Sequence, residues 1–351
     1  MLSAAFSIGV SGVQTAQKVV DMTSHNIANI DTPGYKRLDN HNFEINFSGP
    51  DNKPFLPAGV GTTISSNDYP WLDTRMNDAL AEKATNDAIK EGADEVSRVA
   101  SDSTLSEAFT SFMNATQDLK ANPNDQIYKE VFHQTGEAFT SQMNRVDKAF
   151  ADVSTTIQEK IDFNQMRVDA LQAQMAAITK NPQGEESIAQ MTFLKQQLAQ
   201  VSGSIVGYNK VLSSIIPPVT SVYAAAKQDV VQGTNGSYGM ELISNDGTGY
   251  SWNRFDGGDV DALTEFGSQQ FNKDMGKAAT VAGSLQEIAT INADFGTQNA
   301  EGAKAAYDAA YGVDMTEQAT KLLQYQRIYE ANTKVIQAAD NMIGTLLDIF
   351  N

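Results

Sequence analysis

The chain has 351 residues, enough for one large domain or two to three smaller ones with their own cores. Its net charge of −18 and isoelectric point near 4.5, with no Lys/Arg cluster, argue against nucleic-acid binding and against docking on an anionic membrane surface. The absence of cysteine excludes disulfides, thiolate metal sites and cysteine nucleophiles, and no apolar run approaches the roughly 20 residues a membrane span needs.

Residues 1 to about 30 read as an amphipathic helix. Phe6, Val13, Val20 and Ile27 recur every seven residues, while Leu2, Ala5, Gly9, Gly12, Ala16 and Val19 form an adjacent stripe at 3,4 spacing. Gly9 and Gly12 cost helix propensity but let another helix approach closely, and the far end of the chain is the best candidate partner. Gly9, Gln14, Gln17 and Lys18 also interrupt any signal-peptide core, so an exported form is expected to leave without cleavage. The helix stops at Thr32-Pro33-Gly34: proline removes a donor and glycine permits positive φ.

From about 38 to 75 the pattern predicts an extended linker with one or two short strands. Phe43, Ile45 and Phe47 alternate, Val60 to Ile64 is a second strand candidate, and Gly49-Pro50, Pro54, Pro57-Ala58-Gly59 and Tyr69-Pro70 mark turns. Residues 76 to about 215 form a helical body. It contains a segment over Leu80 to Val99 and a face of Leu105, Phe109, Phe112, Met113 and Leu119 that ends at Asn122-Pro123-Asn124. A proline-free run from Ile127 to Ile178 turns at Asn181-Pro182-Gln183-Gly184 and returns from Ile188 to Leu212, predicting a long helical hairpin. Pro217-Pro218 is expected to close it.

Between Val219 and Phe266 the chain becomes rich in Gly, Asn, Asp, Ser and Thr, with Met240 to Ile243 and Tyr250 to Phe255 as strands of a small β insertion. Helical character resumes by Ala279, with Val281, Leu285, Ile288 and Ile291 on one face, and a polar stretch containing Gly and Ala follows. The last element, Met315 to Phe350, carries a heptad seam. Leu322, Tyr329, Ile336, Ile343 and Phe350 are seven apart, and Tyr325, Asn332, Ala339 and Leu346 follow three residues later. Ile328, Val335, Met342 and Ile349 widen the stripe beyond what a two-stranded coil needs, which suggests contact with more than one helix.

No chemistry emerges. His25, His41 and His133 lack metal-ligand spacing, and Asp256-Gly257-Gly258-Asp259-Val260-Asp261 has glycine where a calcium loop needs its third-position oxygen, so it reads as a turn and helix cap. Phosphate-binding glycine loops and the nucleophile elbow are absent from the sequence. No catalytic residue, metal or cofactor is expected.

Ser24-His25-Asn26-Ile27-Ala28-Asn29 with Thr32-Pro33-Gly34-Tyr35 resembles the N-terminal signature of the bacterial flagellar axial proteins of rod, hook and hook–filament junction. Gly312-Val313-Asp314-Met315, Leu322-Leu323-Gln324-Tyr325-Gln326, Tyr329, Lys334-Val335-Ile336, Ala339-Asp340 and Leu346-Leu347, with the body from Leu105 to Leu212, resemble the hook-associated junction members of that family. The likeness covers about two-thirds of the chain, and only 219–266 stands where such members carry larger β-rich outer domains.

The resemblance implies a mainly α fold of coaxial terminal helices, a long helical-hairpin domain and a small β-rich insertion. The division expected is 1–37 with 306–351 as an inner terminal-helix domain, 38–218 with 267–305 as linker and long-helix domain, and 219–266 as the outer insertion. It further implies a non-enzymatic flagellar subunit, exported unfolded through the type III channel and held beforehand by a chaperone at its C-terminal region. Outside the cell it would assemble as a ring of identical copies between the hook protein and a second junction protein. Asn26, Ile27, Ala28, Asn29, Thr32, Pro33, Gly34 and Tyr35 are then the assembly motif, and Leu322, Tyr325, Tyr329, Ile336, Ala339, Ile343 and Leu346 the subunit-packing seam. The terminal helices are expected to gain order on assembly. Two alternatives stand beside this: a hook or distal-rod structural protein, and an enzyme or ligand-binding protein with its site in 219–266.

Overall fold

A computed structural model of the protein describes residues 2–48, 54–182, 184–222, 224, 242–244, 250–252 and 270–350. In chain order these form α1 (Leu2–Ala28), β1 (Leu38–Ser48), β2 (Pro54–Ser66), α2 (Pro70–Ala100), α3 (Thr104–Ala121), α4 (Gln126–Lys180), α5 (Glu185–Lys210) and a π-helical turn (Val211–Ile215). β3 (Leu242–Ser244), β4 (Tyr250–Trp252), α6 (Gln270–Tyr311) and α7 (Met315–Phe350) follow. The fold is mainly α, with the predicted helical hairpin and a small antiparallel β3–β4 pair in the insertion. The calcium-loop-like segment 256–261 lies outside the described residues.

One compact unit comprises 77–172 and 197–300. Its core is aromatic: Phe109 on α3 packs on Phe271 of α6 at 4.4 Å between ring centroids and on Phe139 of α4 at 5.3 Å. Such tilted ring pairs add about 1 kcal/mol each beyond their buried area. Asp125 starts α4 by accepting the Ile127 N–H at 2.8 Å, and the absence of proline lets that helix run about 80 Å. α2 and α5 approach closely because a Cβ at Gly203 would stand 2.2 Å from the Ala81 carbonyl oxygen, and one at Gly207 2.3 Å from that of Thr85.

The structure departs from the sequence reading in three places here. Pro217-Pro218 does not end the helical body, since the chain stays helical through Val222. The π-turn just before it, where the Ile216 N–H reaches back to the Val211 carbonyl, widens the helix so that the two proline rings clear the preceding turn. α6 starts at Gln270 and includes the polar stretch up to Tyr311. There the buried face is Ala289, Ala293, Ala300 and Ala303, small residues that give little hydrophobic periodicity. α2 starts at Pro70, whose missing N–H is harmless in a first turn, while the neighbouring Trp71 is largely exposed and disguises the helix pattern.

The second unit comprises 1–76, 173–196 and 301–351. It takes in the whole 38–66 segment, which is one antiparallel hairpin of 11- and 13-residue strands, not a linker with short strands. The hairpin lies along α1: Thr15 Oγ1 donates to the Val60 carbonyl at 2.8 Å, and the Val60 N–H donates to Ser11 Oγ at 3.2 Å. Val19, Met22 and Leu38 form the buried cluster beneath it.

Candidate assembly surface

Asn26 holds the corner after α1. Its Nδ2 donates to the Leu38 carbonyl at 2.9 Å and to Gln318 Oε1 at 3.0 Å, while its Oδ1 accepts from the Leu38 N–H at 2.9 Å and the Tyr35 hydroxyl at 2.8 Å. Asn26 and Gln318 are fully buried, so one side chain ties α1, the corner, β1 and α7 together away from the surface. Asn29 caps the helix end locally, donating to the His25 carbonyl at 2.9 Å and accepting from Thr32 Oγ1 at 3.1 Å. Ile27 is half-buried, Ala28, Thr32 and Pro33 are exposed, and Tyr35 is half-buried. Gly34 has φ +77°, and a Cβ there would stand 2.3 Å from the Ala189 carbonyl oxygen on α5. The signature is thus a set of internal ties around an exposed rim, Ala28 and Thr32-Pro33.

The next two residues fix the corner to the end of α6. Lys36 Nζ pairs with Asp73 at 2.7 Å and Asp68 at 2.9 Å, and sits 4.6 Å from the centroid of the Tyr311 ring. Burial opposes its charge, yet the hydrogen bonds to Asp73 and Asp68 outweigh that and hold its proton well above the ordinary lysine range. Tyr311 completes the contact, its hydroxyl donating to the Tyr69 carbonyl at 3.1 Å and accepting the Tyr69 N–H at 2.8 Å. The Arg37 N–H donates to the Tyr311 carbonyl at 3.0 Å. A cleft of about 310 Å³ opens beside the rim, lined by Asp31, Thr32, Phe193, Lys304, Tyr307 and Asp308 among others.

α1 and α7 pair within the chain. A Cβ at Gly9 would meet Ile336 at 2.8 Å and one at Gly12 would meet Asn332 at 2.6 Å, so the glycine stripe of α1 faces α7, with Gly9, Ala16 and Val19 buried. The Phe6 stripe is the outer one; Phe6 is 41% exposed. Of the seam residues, Ala339 is buried and Leu322, Tyr325 and Ile336 are half-buried. Tyr325 is occupied by the hairpin, its hydroxyl accepting from Asn40 and Asn42, each at 3.2 Å. Tyr329, Ile343 and Leu346 remain exposed, as do Leu323, Val335 and Met342. The wide apolar face of α7 is therefore only partly used by α1. Sequence reasoning assigned no role to Gln318, Lys36 or Tyr311. Gln318 carried a signal, being a polar residue seven before Tyr325 on the seam, whereas Lys36 and Tyr311 carried none.

Among the described residues no group of three or more His, Asp or Glu is placed to hold a metal ion, and no helix is long and apolar enough to cross a membrane. His25 and His41 are exposed, and His133 faces Glu137 on its own helix at 3.5 Å. The geometry is that of paired helix ends with an apolar flank left open.

Comparison with known families agrees. Residues 6–36 match the family described as flagella basal body rod protein, and 305–349 that described as flagellar basal body rod FlgEFG protein C-terminal. No curated protein and no solved structure matches the chain significantly. The paired ends thus define an axial structural protein of the bacterial flagellum. Residues 93–211 match the family described as flagellar hook-associated protein FlgK helical domain, and the three matches together support a hook-associated flagellar protein.

Proposed function

We propose that the chain is the first junction subunit between flagellar hook and filament, assembled as a ring of identical copies. One observation carries the reading: after α1 is seated, α7 still presents Tyr329, Ile343 and Leu346 to solvent, on a helix end joined to a hook-associated helical domain. An axial stack buries such a face against neighbouring helices, and an isolated subunit leaves it as an association hazard. The hook protein on one side and a second junction protein on the other are the expected neighbours. A chaperone covering the C-terminal region before export fits the same exposed face. Location outside the cell, after export without a cleaved signal, follows from that role, as does the lack of any catalytic task. The corner motif and the α7 seam act in this reading as the folded frame and the contact surface.

The match of 305–349 to the FlgEFG C-terminal region favours a second reading, a hook or distal-rod subunit. Deleting the gene separates the two. Complete hooks without filaments, with filament protein lost to the medium, support the junction role. Missing or truncated hooks support the second reading, and normal filaments overturn both.

A further inference from the structure

We propose that the outer half of the β1–β2 hairpin is a strap that opens and closes over α1 while the hairpin's base, α1 and α7 stay in place. The opening is a property of the single chain and holds whichever flagellar subunit the chain forms.

The base is fixed on both helices. Leu38 is bonded through its N–H and its carbonyl to Asn26 and packs with Val19 and Met22 of α1, where Ile64 and Tyr325 of α7 join it. Asn40 and Asn42 donate to the Tyr325 hydroxyl. Lifting this part would orphan the buried Asn26 group and expose apolar side chains, so it stays down.

The outer half rests on different chemistry. Towards the start of α1 the face under the hairpin changes from Val19 to Thr15, Ser11 and Ser7, a row of hydroxyls at a spacing of four. Thr15 Oγ1 donates to the Val60 carbonyl, Ser11 Oγ accepts the Val60 N–H, and a Cβ at Gly59 would overlap Ser11 Oγ. These bonds exchange for water without orphaning a group. Ser11 Oγ keeps its donation to the Ile8 carbonyl at 2.9 Å. Thr15 has the Ser11 carbonyl one turn back, the bond type that Thr23 and Ser24 already make to Val19 and Val20. Val60, already 38% exposed, passes its peptide groups to water.

The backbone supplies the bend. Val60 stands between Gly59, at φ +149°, and Gly61, over which the Phe43 ring lies. Beyond them the ladder loosens. Its register shifts between Ile45 and Asn46 and again between Phe47 and Ser48, and Pro54 and Pro57 bring no N–H to it. Phe43 and Ile45 are 51% and 39% exposed, so these apolar side chains add little hold on α1. α7 takes the adjacent stripe of Gly9 and Gly12, so the hydroxyl face can be uncovered with the helix pair intact.

In a chain without cysteine a single thiol reports the opening. Thr15→Cys places it beneath the strap, and Ala16→Cys places it one residue on, in the buried stripe shared with Gly9 and Gly12. Each is made in the full chain and again with Gly59→Ala, whose methyl meets Ser11 Oγ and lifts the strap. Labelling by a thiol reagent under native conditions is expected to be several-fold faster for Thr15→Cys than for Ala16→Cys. Gly59→Ala is expected to speed the first several-fold and leave the second unchanged. Equal rates at the two positions, or Gly59→Ala acting on both alike, overturn the strap, because the hairpin would then leave α1 only when α1 leaves α7. No effect of Gly59→Ala at either position overturns it as well. Hydrogen exchange of the chain without substitutions reads the same motion. Exchange several-fold faster in 43–46 and 59–61 than in 38–42, 62–66 and 9–19 supports the strap, and uniform protection through hairpin and α1 overturns it.

Discussion

Asn26 and Gln318, 292 residues apart in the chain, share a buried hydrogen bond of 3.0 Å in which the asparagine amide donates to the glutamine carbonyl. The bond joins the end of the first helix to the first turn of the last, where Asp314 Oδ1 accepts the Glu317 N–H at 2.9 Å. A corner close to the chain start is thereby held by the other end of the molecule.

Asn26→Leu removes this bond and the three that Asn26 makes to Leu38 and Tyr35, leaving the Leu38 peptide groups buried without partners. The expected cost is about 3 kcal/mol or more, because each orphaned buried group loses roughly 1–3 kcal/mol. Gln318→Met is expected to cost less, since the buried Gln318 Nε2 has no partner to lose. Hydrogen exchange on α1 and α7 against α3 and α4 checks this: protection falls in the first pair and stays in the second.

Glycines at the α1–α7 contact are not interchangeable with others. Gly12→Val drives a branched side chain into Asn332, already 2.6 Å from the position of a Cβ, and is expected to destabilise the pairing by about 1–3 kcal/mol. Gly344→Ala on the same α7 meets nothing within 4 Å and is expected to stabilise the helix by up to about 1 kcal/mol. Thermal melts of the two variants should shift in opposite directions.

Gly34 and Gly184 both have positive φ, +77° and +63°. Gly184→Ala meets open space and should cost about 1 kcal/mol from backbone strain alone. Gly34→Ala adds a clash with the Ala189 carbonyl and should cost distinctly more, read as loss of protease resistance at the corner. Equal effects would show that the clash relaxes.

The helical unit should weaken in acid through Glu91. Burial works to raise its carboxyl, but the hydrogen bonds from Lys160 at 2.6 Å and Tyr208 at 2.5 Å outweigh that and hold it below its ordinary value of 4.5. The unfolded carboxyl thus takes up its proton first. The stabilisation is present above pH 4.5 and is lost as pH falls through the lower folded value. Urea midpoints measured from pH 6 downwards should fall more steeply for the unsubstituted protein than for Glu91→Gln.

Ile336 and Leu346 separate folding from assembly. Ile336→Asp places a charge against Gly9 and is expected to release α1 from α7. Leu346→Asp lies on the exposed part of the seam and should leave the monomer's melt unchanged while blocking assembly. Filaments of normal number in the Leu346→Asp strain would remove that residue from the contact surface.

The sequence by itself determined the helices, because four of them carry long apolar periodicities interrupted by unambiguous turns, such as Asn122-Pro123 and Asn181-Pro182-Gln183-Gly184. It also determined the demand for a close partner at Gly9 and Gly12, and the excess width of the apolar face on α7. Where burial relies on alanine, as in Ala293 to Ala303, or where a π-turn absorbs Pro217-Pro218, periodicity and proline misreport the helix, since neither senses a neighbour's shape. Only the tertiary structure decided that the signature's Asn26 points inward to Gln318, that Lys36 is enclosed by Asp68, Asp73 and Tyr311, and that Tyr325 is occupied by β1. Those ties join residues from tens to nearly three hundred positions apart. Local propensity reports on a few neighbours along the chain, and a hydrogen bond between its two ends has no local signature beyond a polar residue at a position where an apolar one was due.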